Sequence, residues 1–424
     1  MKFLSSHWWT IAPEDFGSAP SLGPIDAKLE GYLFLDEGKR PRFGFDEPAF
    51  LKLVRSNSLY DDRDAWLREL LSNADDATRI RVFLEEFATS DAEPKESEDS
   101  SRDPMEVLEP TFRKYPIDIT IEKEIGSADS HGREKNEATI NVVIKDRGTG
   151  ISEQDLRYIL MIGSSAKNYE RRSVVNKMPE YLKPTGNFGI GFQSIFMVAD
   201  RVQITTTDFR TRKKLRIEMI RSSKIIGSEQ DTKSQVAGVY IRPLDNGELK
   251  SRGGTTIEFS FPVQSVSYES PVGEYSEDSS AELDPVIQDL QNAEVEKLKQ
   301  IVSSTGQRLR TPVNLNGEAL ANDVDSSIEH VFYSRTQHCL FKFRPNNRSD
   351  NTVELMYRGM PIRRHSLARL ELLNLCLDLQ FGNASEVLTA SRDTLTPDGV
   401  KIVQDKLAKG LAEIFPEYIK ALKK

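Results

Sequence analysis

The sequence has few of the residues from which disulfide frameworks and metal centres are built. It contains two cysteines, Cys339 and Cys376, among 424 residues, which excludes a disulfide framework and favours a reducing, cytoplasmic location. The five histidines are scattered, and none stands in a spacing typical of zinc ligands. The G-x-S-x-G motif of many serine hydrolases is also missing. A zinc site is therefore not expected, and a Ser-His-Asp hydrolase stays open without support from this motif.

Long apolar runs and an excess of basic residues are missing too. No stretch approaches about 18 consecutive apolar residues, so no membrane span is predicted, and the N-terminal MKFLSSHWWT lacks the apolar core of a signal peptide. The net charge of −9 argues against broad electrostatic binding to nucleic acid, although a local basic groove stays possible. Neither a membrane nor nucleic acid is expected as a partner.

Two polar, acidic stretches indicate how the chain is organised. Residues 89–104 are acidic and contain proline, which predicts a disordered surface insertion. Residues 263–290 include a serine-rich, proline-punctuated segment that is typical of a linker. We therefore predict one domain over residues 1–262 and a smaller α/β domain over residues 291–424.

The hydrophobic periodicity predicts a set of alternating helices and strands. The helices are predicted at 61–88, 152–162 and 399–422, the last of them closing the chain. The strands are predicted at 117–124, 138–146, 255–261 and 353–362, and the first two form a hairpin. Residues 188–208 are predicted as a loop, a buried helix and then a strand, and residues 163–185 as irregular.

The first predicted helix carries an unexpected polar row. Its apolar face suits a core, yet Glu69, Asn73 and Asp76 lie at i, i+4 and i+7, which stacks them along one side of a helix. Such a row is usually a solvated face. The alternative is that the polar row faces a bound ligand, because an acid and an amide one turn apart can orient a water molecule and bind a metal ion.

Two glycine-rich motifs follow this helix in the sequence. In IKDRGTGIS, Asp146 ends a predicted strand and two glycines follow; in GNFGIGF, residues 186–192, three glycines precede an apolar helix. A buried strand-terminal carboxylate can accept a hydrogen bond from the exocyclic amine of adenine, and a glycine loop can present backbone N–H groups to phosphates. Together with Asn73 as a magnesium ligand and Glu69 as a base that polarises water, these motifs predict an ATP site.

With these motifs in place, the sequence resembles the GHKL ATPases, and within them the heat shock protein 90 family. The resemblance covers residues 57–262, and SEVLTASRDTL, residues 385–395, is similar to a loop of that family's middle domain. It implies an α+β fold of the Bergerat type, in which an α/β sandwich with a mixed sheet carries helices on one face. The cofactors it implies are ATP and Mg²⁺.

The resemblance also implies roles for individual residues. Glu69 would be the general base, Asn73 would ligate Mg²⁺, and residues 163–185 would form a lid. Arg392 would reach the γ-phosphate from the second domain, where a guanidinium can neutralise charge during phosphoryl transfer. The remaining residues implied to bind the nucleotide are Asp76, Ala77, Asp146, Gly150, Ile151, Lys167, Gly186, Asn187, Phe188, Gly189, Ile190, Gly191, Phe192 and Thr255.

The expected activity is slow ATP hydrolysis that drives lid closure and domain docking to remodel protein clients, with a possible ATP-dependent homodimer. Two alternatives stay open, and a third is disfavoured. The chain could be a non-hydrolysing switch of the sacsin-like type, in which Arg392 has no catalytic role. It could be a nucleic-acid machine of the gyrase or mismatch-repair type. A histidine kinase is disfavoured, because no helix with a central phosphoacceptor histidine precedes the expected ATPase domain.

Overall fold

The computed structural model describes residues 44–45, 64–87, 103–125, 138–162, 168–186, 191–220, 238–244, 252–263, 285–321, 330–344, 353–362, 374–389, 392 and 394–423. Nearly all of the predicted acidic insertion and most of the predicted linker lie outside these residues. Among the residues described, no helix is long and apolar enough to cross a membrane.

The first structural unit is built on an eight-stranded sheet with the order β10-β9-β2-β3-β8-β5-β6-β7. Its pairings are antiparallel except that of β2 with β9, which is parallel. The strands are β2 Ile117–Ile125, β3 Ala138–Lys145, β5 Arg201–Thr207, β6 Lys214–Ile220, β7 Gly238–Leu244, β8 Gly254–Pro262, β9 Val313–Leu315 and β10 Glu318–Ala319; a separate small pair joins β1 Gly44–Phe45 to β4 Met161–Ile162.

Alternation of side chains explains why these segments form strands. Along β2 and β3, Ile119, Ile121, Ile140 and Val142 are buried, while the residues between them stay partly exposed. A strand of period two places such residues on one face, and this face forms the first hydrophobic core. The predicted α+β fold with a mixed sheet is confirmed, as are the strands expected at 117–124, 138–146 and 255–261.

Two long helices pack on this sheet, and shorter ones surround the site. The indole of Trp66 meets the ring of Phe259 edge to face at 5.3 Å, which fixes the first helix to β8. The helices are α1 Ala65–Glu86, α2 Glu109–Phe112, α3 Glu153–Ile159, α4 Tyr169–Lys177 and α5 Pro285–Gly306, and 3₁₀ turns lie at Glu106–Leu108, Glu180–Leu182 and Gly191–Met197.

The second unit contains a five-stranded sheet with the order β11-β12-β15-β13-β14. The closing helix begins with Thr396, whose hydroxyl accepts from the Gly399 N–H, and with Pro397 in its first turn. The elements are β11 His330–Ser334, β12 Cys339–Arg344, β13 Val353–Tyr357, β14 Met360–Pro361, β15 Asn374–Leu379, α6 Ala384–Val387 and α7 Pro397–Leu422.

Packing divides the chain later than the predicted boundary at residue 291. Val295, Leu298 and Val302 of α5 and Val313 of β9 belong to the first core. The physical reason is the parallel pairing of β9 with β2, which brings the segment after the predicted linker back onto the first sheet. The first core therefore extends to about residue 320.

Four local predictions differ from the structure. The buried helix expected within residues 188–208 is the 3₁₀ turn Gly191–Met197, although the strand expected after it is present as β5. Residues 353–362, expected as one strand, form two strands around a turn at Arg358 and Gly359, both of which have positive φ. The segment 163–185, read as irregular, contains α4, which Asn168 caps by accepting from the Arg171 N–H. The helix expected over 152–162 ends at Ile159 and is followed by β4.

Candidate functional site

A cavity of about 230 Å³ lies between α1, the ends of β3 and β8, residues 168–186 and the second unit. These elements are far apart in the chain, so the cavity exists only because the sheet and the second unit pack against the same helix. The structure brings nine of the predicted site residues to its wall: Asn73, Ala77, Asp146, Gly150, Ile151, Gly186, Phe192, Thr255 and Arg392.

Among the other predicted residues, the structure describes Glu69, Asp76 and Gly191. Glu69 is buried behind the wall, and Asp76 is engaged with backbone. Gly191 begins the 3₁₀ turn Gly191–Met197. Lys167, Asn187, Phe188, Gly189 and Ile190 fall outside the residues that the structure describes. Their expected contacts with phosphates stay predictions.

Asp146 forms one end of the cavity. Its Oδ1 accepts from the Gly148 N–H at 2.8 Å and from the Thr255 N–H at 3.3 Å, and its own N–H donates to the Thr255 carbonyl at 2.8 Å. Among the described residues no hydrogen bond reaches Oδ2, which leaves that oxygen for a ligand. Burial raises the pKa of Asp146 to about 7, although the two backbone N–H groups oppose this shift.

Glycine is required beside Asp146 because three elements approach closely there. A Cβ on Gly148 would lie 2.5 Å from the Cβ of Ala77 on α1. Gly150 has φ +69°, and a Cβ on it would lie 1.9 Å from the carbonyl oxygen of Thr207. The two glycines thus let the turn after β3 lie against α1 on one side and β5 on the other.

Thr206 was missed by sequence reasoning, although it supports the same end of the cavity. It pairs with Thr255 across β5 and β8, and the two hydroxyl oxygens lie 3.2 Å apart. The Thr206 hydroxyl also accepts from the Ile151 N–H at 2.8 Å. The sequence offers only a run of threonines in a strand, and the strand register that would single out Thr206 is a long-range property.

Arg392 lines the other end of the cavity, with Glu69 buried behind it. Glu69 lies about 12 Å along α1 from Ala77, the residue that packs against Gly148. Arg392 Nη2 lies 3.4 Å from Glu69 Oε2, and its Nη1 donates to the Ser72 hydroxyl at 3.1 Å. Burial raises the pKa of Glu69, and the positive charge of Arg392 acts against this increase. A carboxylate from the first unit and a guanidinium from the second therefore meet beside the cavity.

The backbone of Arg392 is held in a short hairpin. Leu388 and Leu395 form a β-bridge, and the Arg392 N–H donates to the Thr389 carbonyl at 3.0 Å. Arg392 has φ +58°, a left-handed conformation that is uncommon for a residue with a side chain. The sequence match around Arg392 gave no indication of this turn.

Asp76, one of the residues implied to bind the nucleotide, bonds to the start of the glycine loop. Its carboxylate accepts from the Thr185 N–H at 2.6 Å and from the Gly186 N–H at 2.7 Å. The side chain is 1% exposed and is not part of the cavity wall. Direct contact with a purine stays a prediction. In the structure, Asp76 fixes the start of the glycine loop through these two hydrogen bonds.

Positive charge lines the cavity beyond the predicted residues. Arg171 of α4, Lys183 and Arg358 of the second unit all contribute to its wall. Arg171 and Lys183 belong to the predicted lid and were not singled out, although the run YERRSVVNK carries two arginines. Cations around one part of a cavity suit a polyanionic ligand.

A magnesium ion fits this donor set only in combination with a ligand. Asn73 lines the cavity and can offer one amide oxygen. Among the described residues, no group of three or more histidine, cysteine, aspartate or glutamate side chains is placed to hold a metal. Mg²⁺ commonly takes one or two protein oxygens and completes its shell with phosphates and waters, so a lone amide beside a phosphate site is compatible with it.

Comparison with known proteins supports the resemblance found in the motifs. Residues 117–246 match the family of histidine kinase-, DNA gyrase B- and HSP90-like ATPases. Chaperone protein HtpG of Methylorubrum populi is 32% identical over 174 residues, which cover 40% of this chain and 22% of the relative. The endoplasmin homolog of Hordeum vulgare is 34% identical over 152 residues, 35% of this chain and 15% of the relative.

A third relative extends the match slightly. The endoplasmin homolog of Dictyostelium discoideum is 28% identical over 200 residues, covering 45% of this chain and 22% of the relative. The chain thus spans about a fifth of the length of the curated relatives it matches. The resemblance to the heat shock protein 90 type of GHKL ATPase domain is confirmed for this region.

Proposed function

We propose that the chain binds ATP with Mg²⁺ in this cavity and hydrolyses it slowly. The observation that supports the proposal most strongly is the 3.4 Å contact between Arg392 and Glu69. These residues come from two units that have separate hydrophobic cores. A base and a guanidinium at one end and a buried acceptor at the other, at Asp146, match the two ends of ATP. The ATPase family match over residues 117–246 supports the same ligand.

Asp146 would select the purine. Its Oδ2 would accept from the adenine amine, while Oδ1 stays bound to the Gly148 and Thr255 N–H groups. Because these bonds fix the carboxylate before ligand arrives, little ordering is needed on binding. Gly150, Ile151 and Thr255 would close the pocket around the base.

Glu69 and Arg392 would have different catalytic roles at the γ-phosphate. Glu69 would accept a proton from the attacking water, and its raised pKa brings it closer to the range that suits a general base at neutral pH. Arg392 would neutralise charge on the transferred phosphoryl group. Asn73 would hold Mg²⁺, which when bound supplies charge neutralisation at the phosphates.

We further propose that hydrolysis serves protein remodelling. The relatives' names, chaperone protein HtpG and endoplasmin, support chaperone action on protein clients, and the Arg392 contact offers a physical link between ATP and domain docking. Closure of residues 163–185 and docking would limit turnover more than chemistry. An ATP-dependent homodimer and a cytoplasmic location are part of this proposal.

The test is ATP turnover by the parent chain and by Glu69→Gln, with ATP affinity measured for both. The glutamine keeps the shape of Glu69 but cannot accept the proton, so kcat should fall by about 10²- to 10⁴-fold while affinity is retained. Glu86→Gln, an exposed acid on the same helix, is the matched control and should leave both unchanged.

Other outcomes separate the alternatives. Equal turnover by Glu69→Gln and the parent would contradict the role of Glu69. A parent that binds ATP without turning it over would instead indicate a nucleotide switch. A parent that binds no nucleotide would contradict the reading of Asp146 and of the cavity as a whole.

A further inference from the structure

The turn between β13 and β14 carries an arginine where its backbone favours another residue. Arg358 and Gly359 have φ values of +50° and +85°. The turn between β9 and β10 has the same values at Asn316 and Gly317. Asn-Gly is the preferred pair for a two-residue hairpin with both φ positive, whereas an arginine there is conformationally disfavoured. The comparison points to a role for the Arg358 side chain that offsets an unfavourable backbone.

That side chain reaches out of its own core. Arg358 is 2% exposed; its Nη1 donates to the Pro184 carbonyl at 2.6 Å and its Nη2 to the Gly382 carbonyl at 3.0 Å. Arg79 of α1 approaches the same region from the first unit. It donates to the Arg358 carbonyl at 3.1 Å and to the Tyr181 carbonyl at 3.4 Å. One arginine from each unit therefore holds residues 181–184.

The held segment leads directly into the site. Thr185 follows Pro184, and its hydroxyl lies 2.7 Å from that of Ser72. The Ser72 hydroxyl accepts from Arg392, which lies beside Glu69. A continuous set of contacts thus runs from Arg358 through residues 184–185 and Ser72 to Arg392, and both arginines come from the second unit.

We propose that Arg358 is a positioning residue that fixes the second unit to the start of the glycine loop, so that Arg392 reaches Glu69. This inference rests on the proposed ATPase function. In addition, docking of the second unit depends on two arginines: Arg392, which lies beside Glu69, and Arg358, which bonds to Pro184 just before the glycine loop. Arg358 acts through Pro184 and Arg392. Although it contributes to the cavity wall, its Nη1 and Nη2 donate to the Pro184 and Gly382 carbonyls, so we assign it to positioning and not to nucleotide binding.

The kinetic test uses Arg358→Gly, because glycine relieves the left-handed backbone while it removes the side chain. We expect kcat for ATP to fall at least about tenfold, since small misplacements of catalytic groups are costly, with KM changed less than about threefold. Asn316→Gly is the matched control in the other turn and should leave kcat unchanged. Arg358→Lys, which keeps the positive charge but has a single donor nitrogen in place of the guanidinium fork, should recover part of the lost kcat.

A double variant separates positioning from an independent contribution. If Arg358 acts through Arg392, Arg358→Gly combined with Arg392→Ala should turn over ATP no more slowly than Arg392→Ala alone. Multiplicative losses in the double variant would overturn the proposal. So would an unchanged kcat in Arg358→Gly, or a rise in KM alone.

A measurement without nucleotide tests the tie itself. Hydrogen exchange at the Thr185 and Gly186 amides should accelerate by about tenfold in Arg358→Gly and stay at the parent rate in Asn316→Gly. Unchanged exchange would overturn the proposal even if the parent hydrolyses ATP. If the parent has no ATPase activity but exchange is still faster in Arg358→Gly than in the parent, the contact between Arg358 and residues 184–186 is supported. The proposed ATPase function alone would then be contradicted.

Discussion

The two ends of the cavity are built in different ways. At the Asp146 end, the carboxylate is fixed by backbone N–H groups of Gly148 and Thr255, and both lie in the first unit. At the Glu69 end, a residue of α1 meets Arg392 of the second unit, and both Arg392 and Thr185 contact the Ser72 hydroxyl. One end is complete within a single core, whereas the other depends on how two cores pack.

This difference has a functional consequence. A pocket held by sheet and backbone contacts is preorganised, so adenine recognition should not require the second unit. A reacting end that is assembled by docking is present only when the units are in place, so hydrolysis should be more sensitive to changes at the interface than binding is. Binding and turnover should therefore be separable by mutation.

The largest separation is expected for Arg392→Ala. Removal of the guanidinium withdraws charge stabilisation at the transferred phosphoryl group, and kcat should fall by about 10²- to 10³-fold. The affinity for adenosine should be unchanged, because Arg392 contacts Glu69 and Ser72, whereas Asp146 is fixed by Gly148 and Thr255. Steady-state turnover and calorimetric titration check the two quantities; an equal loss of both would contradict the division of the cavity.

A smaller effect, and the opposite pattern, is expected for Asp146→Asn. Oδ1 can still accept from Gly148 and Thr255, which places an amide N–H₂ group where the adenine amine would donate. Two facing donors should weaken adenosine binding by about 10- to 100-fold. The control is Asp378→Asn, because Asp378 is a buried acid of the second unit that also accepts a glycine N–H; adenosine affinity should not change there.

The smallest effect expected is a pH dependence of adenosine binding. The pKa of Asp146 is raised to about 7, so the carboxylate is lost as pH falls through neutrality. If only the ionised form accepts from adenine, affinity should weaken by about tenfold between pH 8 and pH 6. Adenosine carries no phosphate that titrates in this range. Stronger binding at low pH would indicate that protonated Asp146 is the binding form.

Much of the first unit follows from local sequence patterns. The alternation in IDITIEKEI and ATINVVIK predicts β2 and β3, and the apolar face of WLRELL predicts α1. Asp146 and its glycines are recognisable because a strand end and a turn are local events. The predictions succeed where the determining contacts lie within a few residues of each other.

The differences arise where distant segments decide. Asp76 belongs to the polar row on α1, and its carboxylate accepts from the N–H groups of Thr185 and Gly186. No local pattern predicts this contact between residues more than a hundred positions apart. Arg358 lies in a segment that reads as one strand, because Arg-Gly is not a recognised turn signal. The packing of α5 on the first sheet depends on the pairing of β9 with β2, which spans almost two hundred residues.

Hydrogen exchange of the parent chain, measured with adenosine and with ATP, distinguishes the two ends of the cavity. We expect adenosine to slow exchange around residues 146–151 and at Thr255 alone. ATP with Mg²⁺ should slow exchange there and also at residues 185–186 and around Arg392, because it reaches both ends of the cavity. Protection of both ends by adenosine, or of neither end by ATP, would contradict the account.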